Sequence, residues 1–390
     1  MQQSPWVIVT GDFSLKGGMD RANFALADYV ASQGVRVFLV THFADSALKA
    51  NPLVTLHLVP RPAGSVTLSS PLLDYAGRSL ARKVQSRWPA AKVVSNGASC
   101  IWPGINWAHY IHHAWHPAAQ TESLLRNGSA KLIQSFHRNR EKAAYQKAKL
   151  ILCNSNLTRA HLLQHFSVDP SRIRTLYLGS DPDFRPITLG ERNAARSSLG
   201  IQSSRKIALF VGAIGRDRRK GIDTLVKAWK ILCGDAGWDM DLLVAGAGDT
   251  DVLASEVARL GLQNRLRILG FSENVHQLLA AADLLVSPTR YEAYGLNVQE
   301  AICRGLTAMV SASSGIAERY PRDLEAMLIA DPDDAIALAN KLLQWRKCAQ
   351  QWSLRFAPLG DVLRNYTWND MAREFVALAE TSNAEPRRAA

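Results

Sequence analysis

The residues best able to do chemistry gather in two short stretches. In SPTRYEAYGLNVQE (287–300) two carboxylates, Glu292 and Glu300, flank a turn at Gly295. Pro288 stops the apolar run before it, and a helix is expected to begin near Leu296. The amides from Tyr294 through Gly295 and Leu296 to Asn297 would then stand at a helix N-terminus as donors suited to an anion, with Ala293 beside them in the donor site. Glu300, one turn inside, can accept hydrogen bonds from vicinal hydroxyls, and Glu292 can reach hydroxyls beyond the anion. In VGAIGRDRRKGID (211–223) Arg216, Arg218, Arg219 and Lys220 cluster among three glycines, after an apolar run and before a helical pattern. That arrangement suits a diphosphate clamp, in which amides and dipole face the anion and the cations neutralise it. Singly, each group is equally well an exposed loop charge. Together they order hydroxyls, phosphates and hydroxyls, the profile of a nucleotide-sugar.

Two further glycine segments carry less information. GDFSLKGGMDR (11–21) pairs Gly17 with Gly18 before a helical pattern that Asp20 can cap, and it lacks the Gly-Lys-Ser/Thr of a Walker loop. VAGAGD (244–249) offers G-x-G without a third glycine, a weak dinucleotide signal. The run AHYIHHAWH holds His109, His112, His113 and His116. Read as a strand end (108–114), it puts His109 and His113 on one face and His112 on the other. The spacing i, i+3, i+4, i+7 would suit a four-histidine metal site on a helix, but the run reads as a strand end, and no metal is expected.

Positioning these groups requires strand carboxyl ends. Short apolar runs alternate with helical patterns throughout: WVIVT, VRVFLV, LVTLHLV, AKVVS and LILCN in the first half, KIALFVG, DLLVAG, LRILGF, DLLVSP, TAMVSA and AMLIA in the second. This is the signature of parallel sheets covered on both faces, and 390 residues is more than one core usually serves. The five cysteines form no CxxC pair and read as reduced thiols of a cytoplasmic protein. Of the net charge of +12, residues 1–186 hold 21 Lys+Arg against 10 Asp+Glu, and the remainder 25 against 24. The basic half fits an anionic partner or membrane surface, with PLLDYAGRSLARKVQSRW (71–88) as an amphipathic basic helix. Cations interleaved with aromatics in a nucleic-acid module are not found.

The stretch SPTRYEAYGLNVQEAICRG resembles the Glu-x7-Glu signature of retaining glycosyltransferases of family four, which have the GT-B fold. The likeness extends to the glycine pair at 17–18, to LYLGSDPDFRP (176–186), to VGAIGRDRRKG and to SSGIAE (313–318). The resemblance implies two Rossmann-like doubly wound domains facing each other across a cleft. Their spans would be 1–184 for the acceptor and 185–361 for the donor. A helix at 362–380 would return to the first domain, ahead of a disordered tail at 381–390. It implies ribose binding by Glu300 and diphosphate binding by Arg216 and Lys220. The amides of Tyr294–Asn297 would complete the cradle, Phe271 would line the base, and Glu292 with Gly17 and Gly18 would face the sugar. The family's histidine near the sugar falls to His112, with His113 next. Where the family has an arginine after the loop's first glycine, this chain has Ala213, so Arg216, Arg218 or Arg219 must serve. The implied activity is retaining, metal-independent transfer of a hexosyl group from a UDP- or GDP-sugar to a hydroxyl of a glycan or lipid-linked acceptor. No cofactor is implied beyond the donor itself. The partners would be that donor, the acceptor and the inner face of a membrane, as in assembly of cell-envelope polysaccharide. A nucleotide-sugar 2-epimerase and an inactive sugar-nucleotide binder are the alternatives of the same fold.

Overall fold

A computed structural model of the chain describes residues 4–115, 124–202, 204–214 and 218–381, with side chains from 135 onward in the helix Leu124–Lys147. The chain divides into two compact units. One holds the residues up to Gly179 and those from Thr367 on, and the other is Ser180–Tyr366. The division thus falls five residues before 184. The helix Ala349–Arg364 stays in the second unit, so the return begins at Thr367 rather than 362.

The first unit is built on a seven-stranded parallel sheet. Its order is Val54–Leu58, Val37–Thr41, Trp6–Val9, Lys92–Asn96, Ile105–Ala108, Leu150–Cys153, Ile173–Thr175. The central strands are apolar at nearly every position because helices cover both faces. The helix Gly18–Ser32 buries Phe24, Leu26 and Val30, and the helix Trp368–Thr381 packs against it. Phe375 of that last helix lies edge-on to Trp107, ring centroids 4.9 Å apart, and 6.0 Å from Trp6. Lys92 Nζ donates to the Ala379 carbonyl at 2.7 Å.

The second unit holds six parallel strands in the order Leu266–Gly270, Met240–Ala245, Lys206–Val211, Leu284–Ser287, Thr307–Ser311, Leu328–Ile329. Chain order runs outward in both directions from the pair Lys206–Val211 and Leu284–Ser287, joined at Ala208 and Leu284. That pair is the switch point, where open α/β sheets leave a crevice beyond their carboxyl ends. The two chemistry-bearing stretches leave the sheet there.

Three expectations are corrected. The histidine run is not a strand: pairing covers Ile105–Ala108, and residues 112–114 form a turn. The strand stops because Leu150–Cys153, its neighbour, has reached its own end opposite Ala108. Asp20 does not cap the helix Gly18–Ser32. Gly17, at φ 82°, is the N-cap and Asp20 lies in the first turn. The basic helix begins at Val66, five residues earlier than 71, because the Ser65 hydroxyl caps it through the Leu68 amide.

Candidate active site

The second unit's site is held by glycines and one arginine. Gly295, at φ 107°, is the N-cap of the helix Leu296–Cys303. A Cβ there would stand 2.9 Å from Ile316 and 3.0 Å from the Ser314 hydroxyl, so the turn tolerates no side chain. The segment 313–316 braces this turn: the Gly315 amide donates to the Glu292 carbonyl at 3.0 Å and the Ile316 amide to the Tyr294 carbonyl at 2.6 Å. Inside the helix, the Tyr294 hydroxyl donates to Gln299, whose own amide donates to Ser180 at 2.9 Å. The Asn297 side chain reaches across to the Val211 carbonyl at 2.9 Å, tying the helix to the end of the neighbouring strand. Among the described residues the amides of Leu296 and Asn297 carry no hydrogen bond, as a helix N-terminus dictates.

The cationic loop is docked directly onto this turn. A Cβ on Gly221 would sit 1.8 Å from the Pro288 carbonyl oxygen, so only glycine admits the contact. The Thr289 hydroxyl and the Arg290 amide both donate to the Arg219 carbonyl, at 2.9 and 2.8 Å. Lys220, at the end of the loop, forms an ion pair with Glu292. The family resemblance implies that Lys220 meets the diphosphate and Glu292 the sugar, and the structure joins them to one another. An ammonium has three donors, so Lys220 can hold Glu292 and still offer two to an anion. Arg216 lies outside the described residues. Arg290, not among the residues singled out from the sequence, bonds Asp223, Asp333, Thr224 and the Arg218 carbonyl. Its signal was present: an arginine two residues before Glu292, with Asp223 just past the cationic loop.

Glu300 keeps some accessible surface, but the protein atoms crowding its carboxyl push it up to about 8, with Asp181 adding to the effect. Phe271 follows the strand Leu266–Gly270 with 67% of its surface exposed, available for stacking. The glycines of VAGAGD have another task than dinucleotide binding. Gly246 and Gly248 let the backbone of 212–214 lie against them, where a Cβ would come within 1.6 Å of the Gly212 oxygen and 2.0 Å of the Ile214 oxygen.

In the first unit, His109 directly follows the strand Ile105–Ala108 and its ring lies 4.4 Å from Trp107. Among the described residues neither ring nitrogen has a hydrogen-bond partner, and neither do the two polar atoms of Asn96 at the end of the strand Lys92–Asn96, all of them buried. Burial pushes the imidazole down to about 3, so it is neutral. His112, the favoured histidine, is exposed and stacks on His137 at 5.5 Å. His113 bonds through Nδ1 to the buried Glu141 at 2.9 Å, and the other Glu141 oxygen accepts the His112 amide at 2.9 Å. Burial raises Glu141 to about 7, against hydrogen bonds from the His112 and His113 backbone amides and the charge of Arg138. His116 lies outside the described residues. By position at a strand's carboxyl end, His109 is the better-placed histidine, a consequence of the strand ending at Ala108. Near Gly17 and Gly18, Asp12 is held by Arg61 at 2.8 Å, while burial and the charge of Asp12 raise Asp20 to about 6.

Comparison with known proteins follows these two units. The family model "Glycosyltransferase Family 4" matches residues 16–184 and "Glycosyl transferases group 1" matches residues 191–354. An uncharacterized glycosyltransferase of Methanocaldococcus jannaschii is 26% identical over 255 residues, 62% of this chain and 62% of the relative. The lipopolysaccharide glucosyltransferase of Escherichia coli is 28% identical over 224 residues, 56% of this chain and 58% of its own length. The chain thus spans about three fifths of the curated relatives it matches. The solved structure of Anabaena HepE in complex with UDP-glucose superposes with a TM-score of 0.72 at 17% identity, covering 98% of this chain and 100% of that one. With two parallel-sheet Rossmann-like units of the GT-B type, and both units matched, the chain belongs to the glycosyltransferases of the family-four type.

Proposed function

We propose that the chain moves a hexosyl group from a UDP- or GDP-sugar to a hydroxyl acceptor, with retention at the anomeric carbon and without a metal. One observation carries this reading. At the switch point of the second unit's sheet, the Lys220–Glu292 pair lies on the turn that leads into a helix whose Leu296 and Asn297 amides are open, with Glu300 one turn inside that helix. As the glycosidic bond lengthens, negative charge grows on the leaving diphosphate, where ammonium and amide donors stabilise it without reorganising. Removing one such donor costs about 2.7–4 kcal/mol of barrier. With its carboxyl lifted to about 8, Glu300 is mostly neutral at pH 7 and can both accept from and donate to the ribose hydroxyls. Glu292 accepts from sugar hydroxyls while Lys220 keeps it in place. The departing phosphate oxygen takes the acceptor's proton, so no separate base is needed. That HepE is solved with UDP-glucose supports a donor of this class.

The acceptor falls to the first unit. Its helix Val66–Arg87 exposes Val66, Leu68, Leu72 and Tyr75, followed by Arg82, Lys83 and Arg87, a profile suited to an anionic membrane face and a lipid-linked acceptor. No helix among the described residues is long and apolar enough to cross a membrane. Thermal shift against UDP- and GDP-sugars, with Glu300→Ala as control, tests the donor site. Stabilisation of the wild type alone is expected, and an equal response of both proteins overturns the assignment. Proton NMR of the product reads the anomeric configuration, and flotation with phosphatidylglycerol vesicles reads the membrane face.

A further inference from the structure

We infer that Arg290 is the positioning residue of the cationic loop: it fixes the loop's backbone and thereby the Lys220 ammonium. The assignment rests on reading that loop as the diphosphate clamp. Arg290 leaves the turn that carries Glu292 and spends its whole guanidinium on three other segments. Nε donates to Asp333 at 2.7 Å, in the turn before the helix Ala335–Lys347. The two terminal nitrogens grip both oxygens of Asp223 at 2.8 and 2.9 Å, in the first turn of the helix Ile222–Leu232. One of them also donates to the Arg218 carbonyl and the other to the Thr224 hydroxyl at 3.1 Å. With the Arg290 amide on the Arg219 carbonyl and Gly221 pressed on Pro288, the loop is tied down on both sides of Lys220.

Charge argues that Arg290 does not itself meet the phosphates. Its side chain is 15% exposed and faces two carboxylates, Asp223 and Asp333, and the charge of Arg218 also acts on Asp223. Its charge is therefore neutralised within the protein. What it supplies is geometry: a planar fork can hold a carboxylate with two parallel bonds and still reach a carbonyl, and a lysine cannot. Asp223 is held below the usual carboxylate range by Arg290, although burial opposes it, so the pair stays ionic at neutral pH.

The test is a double-mutant cycle between Arg290→Gln and Lys220→Ala, read as UDP and GDP affinity and as nucleotide release from UDP-glucose and GDP-mannose. If Arg290 acts through Lys220, Arg290→Gln lowers turnover by about 100-fold in the wild type, the cost of an ångström-scale misplacement. In the Lys220→Ala background it lowers turnover by less than about threefold, because the coupled loss has already been taken. Arg290→Lys restores little, whereas Asp333→Asn, which keeps Asp223 and the loop carbonyl, retains most of the turnover. Equal fold losses in both backgrounds, or full activity of Arg290→Lys, would overturn the assignment. If the wild type neither binds UDP or GDP nor releases nucleotide, the proposed function itself fails, and this assignment with it.

Discussion

The two parallel sheets differ in what they gather at their carboxyl ends. In the second unit the charged groups are paired, since Lys220 holds Glu292 and Arg290 holds Asp223 and Asp333, and Asn297 holds a strand carbonyl, while among the described residues the Ser311 hydroxyl at a strand end has no partner. In the first unit the side chains of Asn96 and His109, and the Oδ1 of Asn23, are buried without hydrogen-bond partners among the described residues. Buried polar atoms are nearly always paired, and each exception costs about 1–3 kcal/mol. The contrast separates two ways of building a site. One end fixes charge in place through its own contacts, so its geometry does not depend on what it binds. The other keeps uncharged donors and acceptors at a cost in stability.

The largest effect that can break this contrast is on turnover. Lys220→Ala should lower nucleotide release by about 10²–10³-fold, the usual loss for a removed charge-stabilising donor. The pair is part-exposed, so the melting temperature should move little. Unchanged turnover would show that the ordered end is mere scaffolding. Gly221→Ala should come next. Left-handed backbone and a Cβ 1.8 Å from the Pro288 oxygen together predict a loss of about 3 kcal/mol or more in urea unfolding, since such strain alone costs 1–3.

A pH profile sharpens the picture at Glu300. Its folded value of about 8 lies above the ordinary 4.5, so the folded protein binds the extra proton between those values. Stability from this group is full below pH 4.5 and declines as pH rises through 8. Melting from pH 5 to 8.5 should therefore fall more steeply for the wild type than for Glu300→Gln, and parallel curves would remove the shift. The smallest effect belongs to the first unit. Asn96→Leu, which replaces an unpartnered amide by an apolar group of similar shape, should leave stability within about 1 kcal/mol. A loss well beyond that would mean the amide is satisfied in solution and the contrast is false.

The sequence carried the sheets well, because buried parallel strands are continuous apolar runs with glycine or proline at their ends. It also carried the turn at Gly295 and the cationic loop, since helix starts and charge clusters are local signals. Pairings between distant segments were not legible. Nothing in the spacing says that Lys220 meets Glu292, 72 residues on, or that Arg290 turns back to Asp223. The histidine run failed for a related reason: alternation assumes a strand, and where a strand ends is set by its neighbours. Asp20 misled because Asp is a good cap in general, yet Gly17 already occupied the place.

One feature of the fold bears on how the molecule is made. Phe375, Met371 and Trp368 are buried in the first unit, but they are translated only after the entire span Ser180–Tyr366. At ordinary ribosomal speeds that delay is roughly 10–40 s. Throughout it, the surfaces of Trp6 and Trp107 that Phe375 will cover stay open, while the intervening unit, being continuous, is free to fold first. Chains broken before Thr367 never close that surface, and they should be the ones a cell's chaperones and proteases remove.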